Sequence, residues 1–308
     1  MNKRTFGKTG LEVSPLGFGG APIGFLETER ERVGNILNLL LDSGVNLIDT
    51  AASYAGSEEI IAATIGHRRQ EFVLVSKCGA HGADDAAPAW SAALIKRTVD
   101  QSLQRLQTDV IDVMLLHTCG MPTLLAGEAL GALAEARDAG KIRFAGYSGD
   151  NDVVAFAATL SDVAVIETSV NICDQANIPL VLPAAEGRAL GLIAKRPIAN
   201  AAWKDLGQQP GSYKEYAKTY TERLQKMNLD LQELGLDGPP EEAWPELALR
   251  FTLSQQGVHT AIIGTTNPDN ARRNIAAVEK GALPVEVIQK IRSAFRNADP
   301  NGEWAAQG

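Results

Sequence analysis

The sequence contains little of what marks secreted or membrane proteins. Its 308 residues include three cysteines, Cys78, Cys119 and Cys173, which are too few and too scattered for a disulfide framework. No stretch approaches the roughly 18 consecutive apolar residues of a membrane-spanning helix, and residues 1–10 lack the apolar core of a signal peptide. We therefore expect reduced thiols and a cytoplasmic location.

Positive charge is also scarce. The 29 lysines and arginines are outnumbered by 37 acidic residues, which leaves a net charge of −8. Such a protein as a whole repels nucleic acid and anionic membrane surfaces, so neither is expected as a partner. The hydrophobic content of 45% with 21% charged residues is typical of a globular protein with a large core.

Apolar, strand-like runs alternate with amphipathic segments along the whole chain. A hairpin is predicted at residues 3–13, followed by eight strands at 16–19, 45–49, 72–76, 110–116, 142–147, 163–166, 191–194 and 261–263. This alternation favours an α/β fold, a (β/α)8 TIM barrel with a long insertion at 197–243 after the seventh strand, and residues 1–308 are expected to form a single domain. The alternative is an open doubly wound sheet, but residues 17–20 lack the GxGxxG spacing of a dinucleotide-binding turn.

Capping residues and apolar periodicity set the expected helix limits. Thr28 with Glu31 predicts the start of the first helix, and Asn267 with Pro268 that of the eighth. Periodic apolar residues predict helices at 91–106, 124–139, 152–160, 182–190, 244–256 and 285–296. The remaining loops at 20–28, 79–90, 119–123 and 197–243 are expected to determine substrate specificity. Candidate apolar pocket walls in or beside them are Phe25, Trp90 and Trp203, with packing in a loop core as the equal alternative for each.

Three successive predicted strands deliver a polar residue at their carboxyl ends. These residues are Asp49, Lys77 and His117, and Tyr54 follows in the loop after the first of these strands. The carboxyl ends of barrel strands converge on the face that carries the chemistry, so we expect the four side chains to meet. Each has a structural explanation as well: an interior Lys77–Asp49 salt bridge, a tyrosine in the pocket wall and a core histidine. The four complementary residue types together favour a catalytic site.

These residues stand in segments that resemble the aldo-keto reductases. Residues 44–51 read GVNLIDTA, and they are followed by Tyr54, Gly56, Ser57 and Glu58. This stretch resembles the signature around that family's aspartate and tyrosine. Residues 75–77 resemble its lysine strand, and residues 115–117 resemble its histidine strand. Further matches at residues 103–112, 140–148 and 262–266 extend the resemblance over nearly the entire chain.

The resemblance implies carbonyl reduction in which Tyr54 donates a proton to the forming alkoxide. Tyrosine has an ordinary pKa near ~10 and needs help to be a useful acid near neutrality. The ammonium of Lys77 is expected to lower the pKa of Tyr54, and Asp49 to keep Lys77 charged and oriented. His117 is expected to hydrogen-bond the carbonyl oxygen.

The resemblance also implies a nicotinamide dinucleotide bound across the barrel mouth. A helix N-terminus after the eighth strand suits phosphate binding. The residues expected to contact the cofactor there are Gly264, Thr265, Thr266, Asn270, Arg273 and Asn274. Asn270 stands where many members carry an arginine for the 2′-phosphate, whereas Arg272 and Arg273 come later. We expect NADP as the cofactor, with NAD as the open alternative.

At the nicotinamide end the sequence departs from the family pattern. Ser148 matches the serine that contacts the carboxamide, but Gly149 follows it where asparagine is common, and Glu167 stands where glutamine is usual. Lys195 falls where an aromatic residue often stacks on the ring. Ser148, Glu167, Lys195 and Arg196 are all expected cofactor contacts. For Lys195 and Arg196, a position near the pyrophosphate or an anionic substrate competes with a role as solvated loop charges.

The sequence thus predicts an NAD(P)H-dependent oxidoreductase that interconverts an alcohol and an aldehyde, ketone or sugar-like carbonyl compound by hydride transfer. The alternative is a regulatory or docking module that retains the dinucleotide with little or no turnover, suggested by the altered nicotinamide end and the insertion. Schiff-base chemistry at Lys77 is disfavoured, because Tyr54 is a better-fitting partner for the amine. The cysteines near Lys77 and His117 lack the spacing of a zinc site, so no metal is predicted.

Overall fold

A short hairpin precedes the barrel. The computed structural model of the protein describes residues 1–25, 29–79, 87–209 and 213–307. In it, β1 (Arg4–Thr5) and β2 (Glu12–Val13) pair antiparallel around a 3-10 turn at Gly7–Thr9. Lys8 N donates to Ala189 O at 2.5 Å, just before a barrel strand begins. The predicted hairpin is confirmed, and it covers the end of the barrel where the strands start.

Eight parallel strands close into a ring in the order β10-β3-β4-β5-β6-β7-β8-β9. They are β3 (Leu16–Gly19), β4 (Leu47–Asp49), β5 (Val73–Cys78), β6 (Ile111–His117), β7 (Ile142–Ser148), β8 (Val165–Ser169), β9 (Gly191–Lys195) and β10 (Thr260–Ile263). Pairing of β10 with both β3 and β9 completes the ring. The predicted TIM barrel is confirmed, and the open doubly wound sheet is excluded.

Helices surround the barrel. Those in the described residues are α1 (Ala21–Phe25), α2 (Arg30–Asp42), α3 (Ser57–Ile65), α4 (Ala92–Leu106), α5 (Met121–Ala126), α6 (Glu128–Asp138), α7 (Asn151–Ala157), α8 (Asn177–Gly187), α9 (Tyr213–Met227), α10 (Pro240–Leu253), α11 (Pro268–Glu279) and α12 (Val285–Ala298). No helix within the described ranges is long and apolar enough to cross a membrane. The insertion after β9 contains two 3-10 turns, at Ala199–Ala201 and Leu206–Gln208, followed by α9.

Four predicted helix limits were wrong. The single helix expected at 124–139 is two helices, α5 and α6, because Gly127 adopts a left-handed φ of 73° between them. Helix α2 has Glu29 at its N-cap position rather than Thr28, which lies outside the described residues. Helices α8 and α10 begin before the predicted residues 182 and 244. Both helices contain prolines, which obscured their periodicity. Pro240 stands in the first turn of α10, where no hydrogen bond is lost, but Pro183 and Pro245 lie further inside α8 and α10.

The layering of the barrel follows from the two-residue period of its strands. Leu47, Val75, Leu115 and Val165 point inward and pack with Phe6 of the hairpin in a cluster separate from the main core. The intervening residues, such as Ile48 and Leu116, face the helices in the main core. Residues two positions further along each strand must therefore also point inward. These are Asp49, Lys77, His117 and Glu167, so a polar layer lies above the apolar one.

Candidate active site

The polar layer is centred on Lys77. Its Nζ lies 2.5 and 2.6 Å from the two carboxylate oxygens of Asp49 and 3.1 Å from the carbonyl oxygen of Thr50. A second carboxylate, Glu167 on β8, approaches the same Nζ at 3.4 Å. The three charged side chains are almost completely buried, with exposed fractions of 1% for Lys77 and 3% for each carboxylate. The predicted Lys77–Asp49 contact is present, and Glu167 joins it from across the barrel.

Charges in this cluster are strongly coupled. Burial lowers the pKa of Lys77, but Asp49 and Glu167 outweigh that effect and raise its pKa above the ordinary value. Burial and the charge of Glu167 raise the pKa of Asp49. For Glu167, burial raises the pKa, but Lys77 and Lys195 together lower it below its ordinary value. Lys77 is therefore charged, and Glu167 is the carboxylate that most firmly keeps its charge.

Tyr54 and His117 lie beside this cluster. The ammonium of Lys77 lies 5.5 Å from the centre of the Tyr54 ring, and the rings of Tyr54 and His117 meet edge to face at 5.8 Å. Ser53 Oγ lies 3.4 Å from His117 Nδ1. The four residues predicted for catalysis are therefore adjacent. Ser53, which the sequence reasoning missed, adds a polar contact to the histidine.

Burial changes the protonation of both ring systems. It raises the pKa of Tyr54 to about 12, and Lys77 offsets only part of that rise. The predicted lowering of the Tyr54 pKa by Lys77 is therefore present as an effect but is outweighed by burial. Burial also lowers the pKa of His117 to about 3, with a further contribution from Lys77. At neutral pH the site holds a phenol and a neutral imidazole, both able to donate a hydrogen bond.

Close backbone packing positions the loop that carries Tyr54. Gly20 N donates to Asp49 O at 2.7 Å, and Ala52 N donates to Lys77 O at 3.1 Å. Gly24 in α1 lies directly against the loop, because a Cβ atom built on it would stand 2.8 Å from Ala55 N and 2.9 Å from Tyr54 C. A side chain at position 24 would push the loop away from the site.

We expect Gly24→Ala to displace Tyr54. Forcing a methyl group against backbone should cost about 1–3 kcal/mol of unfolding free energy and reduce turnover on the order of tenfold through misplacement of the phenol. Gly131→Ala in α6 is the matched control, because a Cβ built there meets no atom within 4 Å and should stabilise by about 0.5–1 kcal/mol. Urea unfolding and steady-state rates measure both effects. Equal behaviour of the two variants would contradict this account of the loop.

A cavity of about 520 Å³ opens above the polar layer at the carboxyl ends of the strands. The predicted site residues on its wall are Asp49, Tyr54, His117, Ser148, Glu167, Lys195, Arg196, Gly264, Thr265, Thr266 and Asn270. It is large enough to hold part of a dinucleotide together with a small substrate. Most of the predicted site is thus brought together around one cavity.

Arg273 and Asn274 do not line this cavity. Arg273 forms an exposed ion pair with Glu242 at 3.2 Å, and Asn274 is buried in α11. Arg272 is paired with Asp269 at 2.8 Å, also in the open. The helix N-terminus itself is formed as predicted, with Asn267 capping Asp269 N at 2.9 Å. The helix start predicted for the adenosine end of a cofactor is therefore present, and Arg272 and Arg273 are paired with acidic side chains.

Lys195 and Arg196 are held inside the site. Lys195 Nζ lies 2.9 Å from Asp150 Oδ2, and Arg196 Nη1 lies 3.9 Å from the same oxygen. Their side chains are only 12% and 18% exposed, so the interpretation as solvated loop charges was wrong. Arg196 also donates to Ser169 Oγ at 3.1 Å and to the carbonyl of Gln307. Asp150, their shared partner, was not predicted. It lies in the loop after β7, two residues beyond the end of that strand, and Tyr54 likewise lies in the loop after β4.

The structure explains why glycine stands at position 149. A Cβ atom there would lie 2.6 Å from the ring of Tyr147, which is fully buried and donates to Cys119 O at 2.6 Å. Asparagine is therefore excluded by the neighbouring tyrosine. Ser148 Oγ instead donates to Glu167 Oε1 at 3.1 Å, and the strand register places His117, Ser148 and Glu167 side by side.

The insertion forms part of the cavity wall. Asn200, Gln209 and Tyr216 line the cavity, and none of them was predicted. Trp203 does not line it, because it stacks on Trp244 at 6.3 Å with an interplanar angle of 8°. Trp90 packs instead against Gly79, and the side chain of Phe25 lies outside the described residues. Of the two alternatives for these side chains, the pocket wall was wrong for both tryptophans, which pack against other residues instead.

No metal site is formed in the part of the chain that the structure describes, where no three His, Cys, Asp or Glu side chains are grouped to hold an ion. Cys78, Cys119 and Cys173 are buried free thiols. Burial raises the pKa of Cys119 to about 11, which keeps this thiol protonated.

Comparison with known proteins agrees with this geometry. The sequence model of the aldo/keto reductase family matches residues 15–296. The chain belongs to the aldo/keto reductase family. As an aldo-keto reductase it is an NAD(P)H-dependent oxidoreductase that acts on small carbonyl compounds or alcohols.

Relatives of this aldo-keto reductase match over almost its whole length. The uncharacterized oxidoreductase YqkF of Bacillus subtilis (strain 168) is 29% identical over 304 residues, with 95% of this chain and 96% of that protein covered. L-galactose dehydrogenase of Arabidopsis thaliana is 24% identical, with 94% and 93% covered. Among solved structures, the holo form of aldo-keto reductase AKR11C1 from Bacillus halodurans has a TM-score of 0.77 at 27% identity, with 96% of each chain covered.

Proposed function

We propose that this aldo-keto reductase reduces an aldehyde, ketone or sugar-like carbonyl with Tyr54 as the proton donor. The observation that carries the proposal is the convergence of Tyr54, His117 and the Lys77–Asp49 pair at the floor of one cavity. Two hydrogen-bond donors beside each other can hold a carbonyl oxygen, and one of them is an acid. The reverse oxidation of the alcohol uses the same groups.

The residues at the cavity fit a nicotinamide dinucleotide. The free N–H groups at the start of α11 suit the phosphates, and Lys195 and Arg196 supply positive charge on the wall. Within the described residues, Glu167 Oε2 is buried and makes no hydrogen bond, although Lys77 Nζ lies 3.4 Å away, so this oxygen can accept from an amide N–H. We assign cofactor binding to Ser148, Glu167, Lys195 and Arg196 at the reactive end and to Gly264, Thr265, Thr266 and Asn270 at the other.

Each side chain has a distinct part in the mechanism. The cofactor, when bound, supplies or accepts a hydride. Tyr54 donates its phenol proton to the carbonyl oxygen as the alkoxide forms, and the neutral imidazole of His117 donates a hydrogen bond to the same oxygen. Lys77, held charged by Asp49, stabilises the phenolate that remains. Because burial raises the pKa of Tyr54 to about 12, the acid is present throughout the ordinary pH range.

We propose NADP as the cofactor, with NAD as the alternative. Arg272 and Arg273 lie near the N-terminus of α11, and the ion pairs that they form with described residues are exposed, weak and easily exchanged for a phosphate. The Arg272→Ala/Arg273→Ala variant is expected to weaken NADPH binding on the order of tenfold and leave NADH binding nearly unchanged. Fluorescence titration with both cofactors measures this difference. Equal weakening of both cofactors would argue against a 2′-phosphate contact.

The test of the activity is oxidation of NADPH and NADH by a panel of aldehydes, ketones and sugars. Turnover with any class supports the proposal. Cofactor binding without turnover of any carbonyl or alcohol would favour the regulatory or docking alternative, which no separate observation now supports. L-galactose dehydrogenase and pyridoxal 4-dehydrogenase are names of relatives at 24% and 25% identity, so sugars and aromatic aldehydes belong in the panel.

The three buried free thiols support a reducing, cytoplasmic location as part of this proposal.

A further inference from the structure

The charged cluster contains more carboxylate than Lys77 needs. Asp49 already accepts from the ammonium through both oxygens, at 2.5 and 2.6 Å. Glu167 then adds a second carboxylate at 3.4 Å from the same nitrogen. Its Oε1 accepts from Ser148, whereas its Oε2 receives no hydrogen bond from any described residue. Burying an extra negative charge is costly, so it requires a compensating role.

The position of Glu167 identifies what that charge faces. Glu167 lines the cavity in register with His117, two strands away from it. Under the proposed function, the carbonyl carbon must lie within reach of the reactive ring of the cofactor, while its oxygen contacts Tyr54 and His117. The phosphate end of the cofactor is assigned to the start of α11. The ring end must therefore lie at the wall formed by Ser148 and Glu167.

The charge of that ring changes during the reaction. The carbonyl carbon gains a hydride with both of its electrons, the carbonyl oxygen gains the Tyr54 proton, and the dihydronicotinamide is left oxidised and positively charged. A fixed carboxylate beside the ring interacts more favourably with the cation than with the neutral reduced form. The same carboxylate therefore lowers the energy of the transition state in which positive charge develops.

We propose that Glu167 is a charge-stabilising residue that tightens binding of the oxidised, cationic nicotinamide relative to the reduced form and thereby promotes hydride transfer to the carbonyl. The proposal rests on the proposed function. By linkage, the preference of the protein for one redox form of the cofactor shifts the equilibrium between the bound reactants by the same factor. Glu167 thus favours carbonyl reduction on the enzyme and slows release of the oxidised cofactor.

The test uses Glu167→Gln, which keeps the shape and the hydrogen bond from Ser148 but removes the charge. Dissociation constants for NADP⁺ and NADPH are measured by calorimetry at pH 8 on the full chain. We expect the ratio of the NADP⁺ constant to the NADPH constant to rise on the order of tenfold in this variant. The single-turnover rate of NADPH oxidation should fall by a similar factor.

Three variants complete the test. Glu167→Asp retains the charge and should restore a ratio close to that of the unmodified protein. Glu71→Gln removes an exposed carboxylate that pairs with Arg68 before β5 begins, at the opposite end of the barrel, and should leave the ratio unchanged. Glu167→Ala provides a second neutral variant if Glu167→Gln does not fold, and it should shift the ratio in the same direction.

The outcomes are distinct. A raised ratio that Glu167→Asp reverses supports the proposal. An unchanged ratio, or equal loss of affinity for both redox forms, overturns it while leaving the proposed function intact. An unmodified protein that binds neither redox form of NADP nor of NAD overturns the proposed function and this inference together.

Discussion

Replacing Tyr54 with phenylalanine is expected to abolish most carbonyl reduction while leaving cofactor binding nearly intact. General acid catalysis contributes about 10²–10⁴-fold, and the Tyr54 ring lies beside both Lys77 and His117. Removing one hydroxyl group keeps the ring and its edge-to-face contact with His117. The measurements are the steady-state rate with the best carbonyl substrate and the dissociation constant for NADPH.

Tyr216→Phe is the matched control for this experiment. Tyr216 lies on the wall of the same cavity but is 52% exposed, and its ring stands 5.7 Å from the guanidinium of Arg196. Losing its hydroxyl should change the rate by no more than a few-fold. If Tyr54→Phe retained the rate of the unmodified enzyme, the proton donor would have to be another group.

The pH profile of the unmodified enzyme bears on the same assignment. Burial raises the pKa of Tyr54 to about 12, so the phenol stays protonated as pH rises through the physiological range. Burial and Lys77 lower the pKa of His117 to about 3, so the imidazole stays neutral as pH falls. The rate of reduction should therefore show no titration near pH 6.5. If the rate of the unmodified enzyme changed near pH 6.5 and the rate of His117→Gln did not, the assignment of a neutral imidazole to His117 would be contradicted.

The second large effect is on stability. Lys77→Met should lower the free energy of unfolding by about 3–5 kcal/mol, because it leaves two buried carboxylates without their cation. Without the ammonium, burial and mutual repulsion raise the folded-state pKa of Asp49 and Glu167 above their unfolded values. The folded variant then holds more protons than the unfolded chain, so the loss is greatest near pH 8 and shrinks as pH falls. Urea unfolding at pH 8 and pH 5 measures both features.

The controls separate buried charge from lost packing. Lys96→Met removes an exposed lysine whose side chain is 47% accessible and paired with Glu135, and it should cost no more than about 1 kcal/mol. Adding Asp49→Asn and Glu167→Gln to Lys77→Met removes the unpaired charges and should recover part of the stability. Two outcomes would contradict this account of the buried cluster. One is a loss of unfolding free energy in Lys77→Met that is no larger than in Lys96→Met, and the other is a loss that does not depend on pH.

The fold was predictable because its signals are local. Each strand is a short apolar run and each helix has one apolar face, so the alternation along the chain was enough to predict the barrel. The helix limits were less accurate. Gly127 divides one predicted helix into two because it adopts a left-handed conformation, and nothing in the apolar periodicity records that conformation.

In the predicted site, likewise, some contacts followed from local signals in the sequence and others did not. Asp49, Lys77 and His117 are the inward residues at the ends of neighbouring strands, so their adjacency follows from the strand period and the strand order. The contact between Lys77 and Glu167 does not, because β5 and β8 are separated by β6 and β7 and meet only across the barrel interior. Likewise, Arg273 was predicted at the cofactor from its place in the sequence, but it faces Glu242 on another helix.

The sequence by itself determined the barrel, and it predicted that Asp49, Tyr54, Lys77 and His117 meet at the carboxyl ends of the strands, where the structure brings them together. Only the tertiary structure decided that Glu167 shares Lys77, that Asp150 holds Lys195 and Arg196, and that the insertion supplies Asn200, Gln209 and Tyr216 to the cavity wall. The physical reason is the range of each interaction. Strand and helix periodicity act between residues close in sequence, whereas the charge balance of a buried site depends on side chains brought together by closure of the sheet.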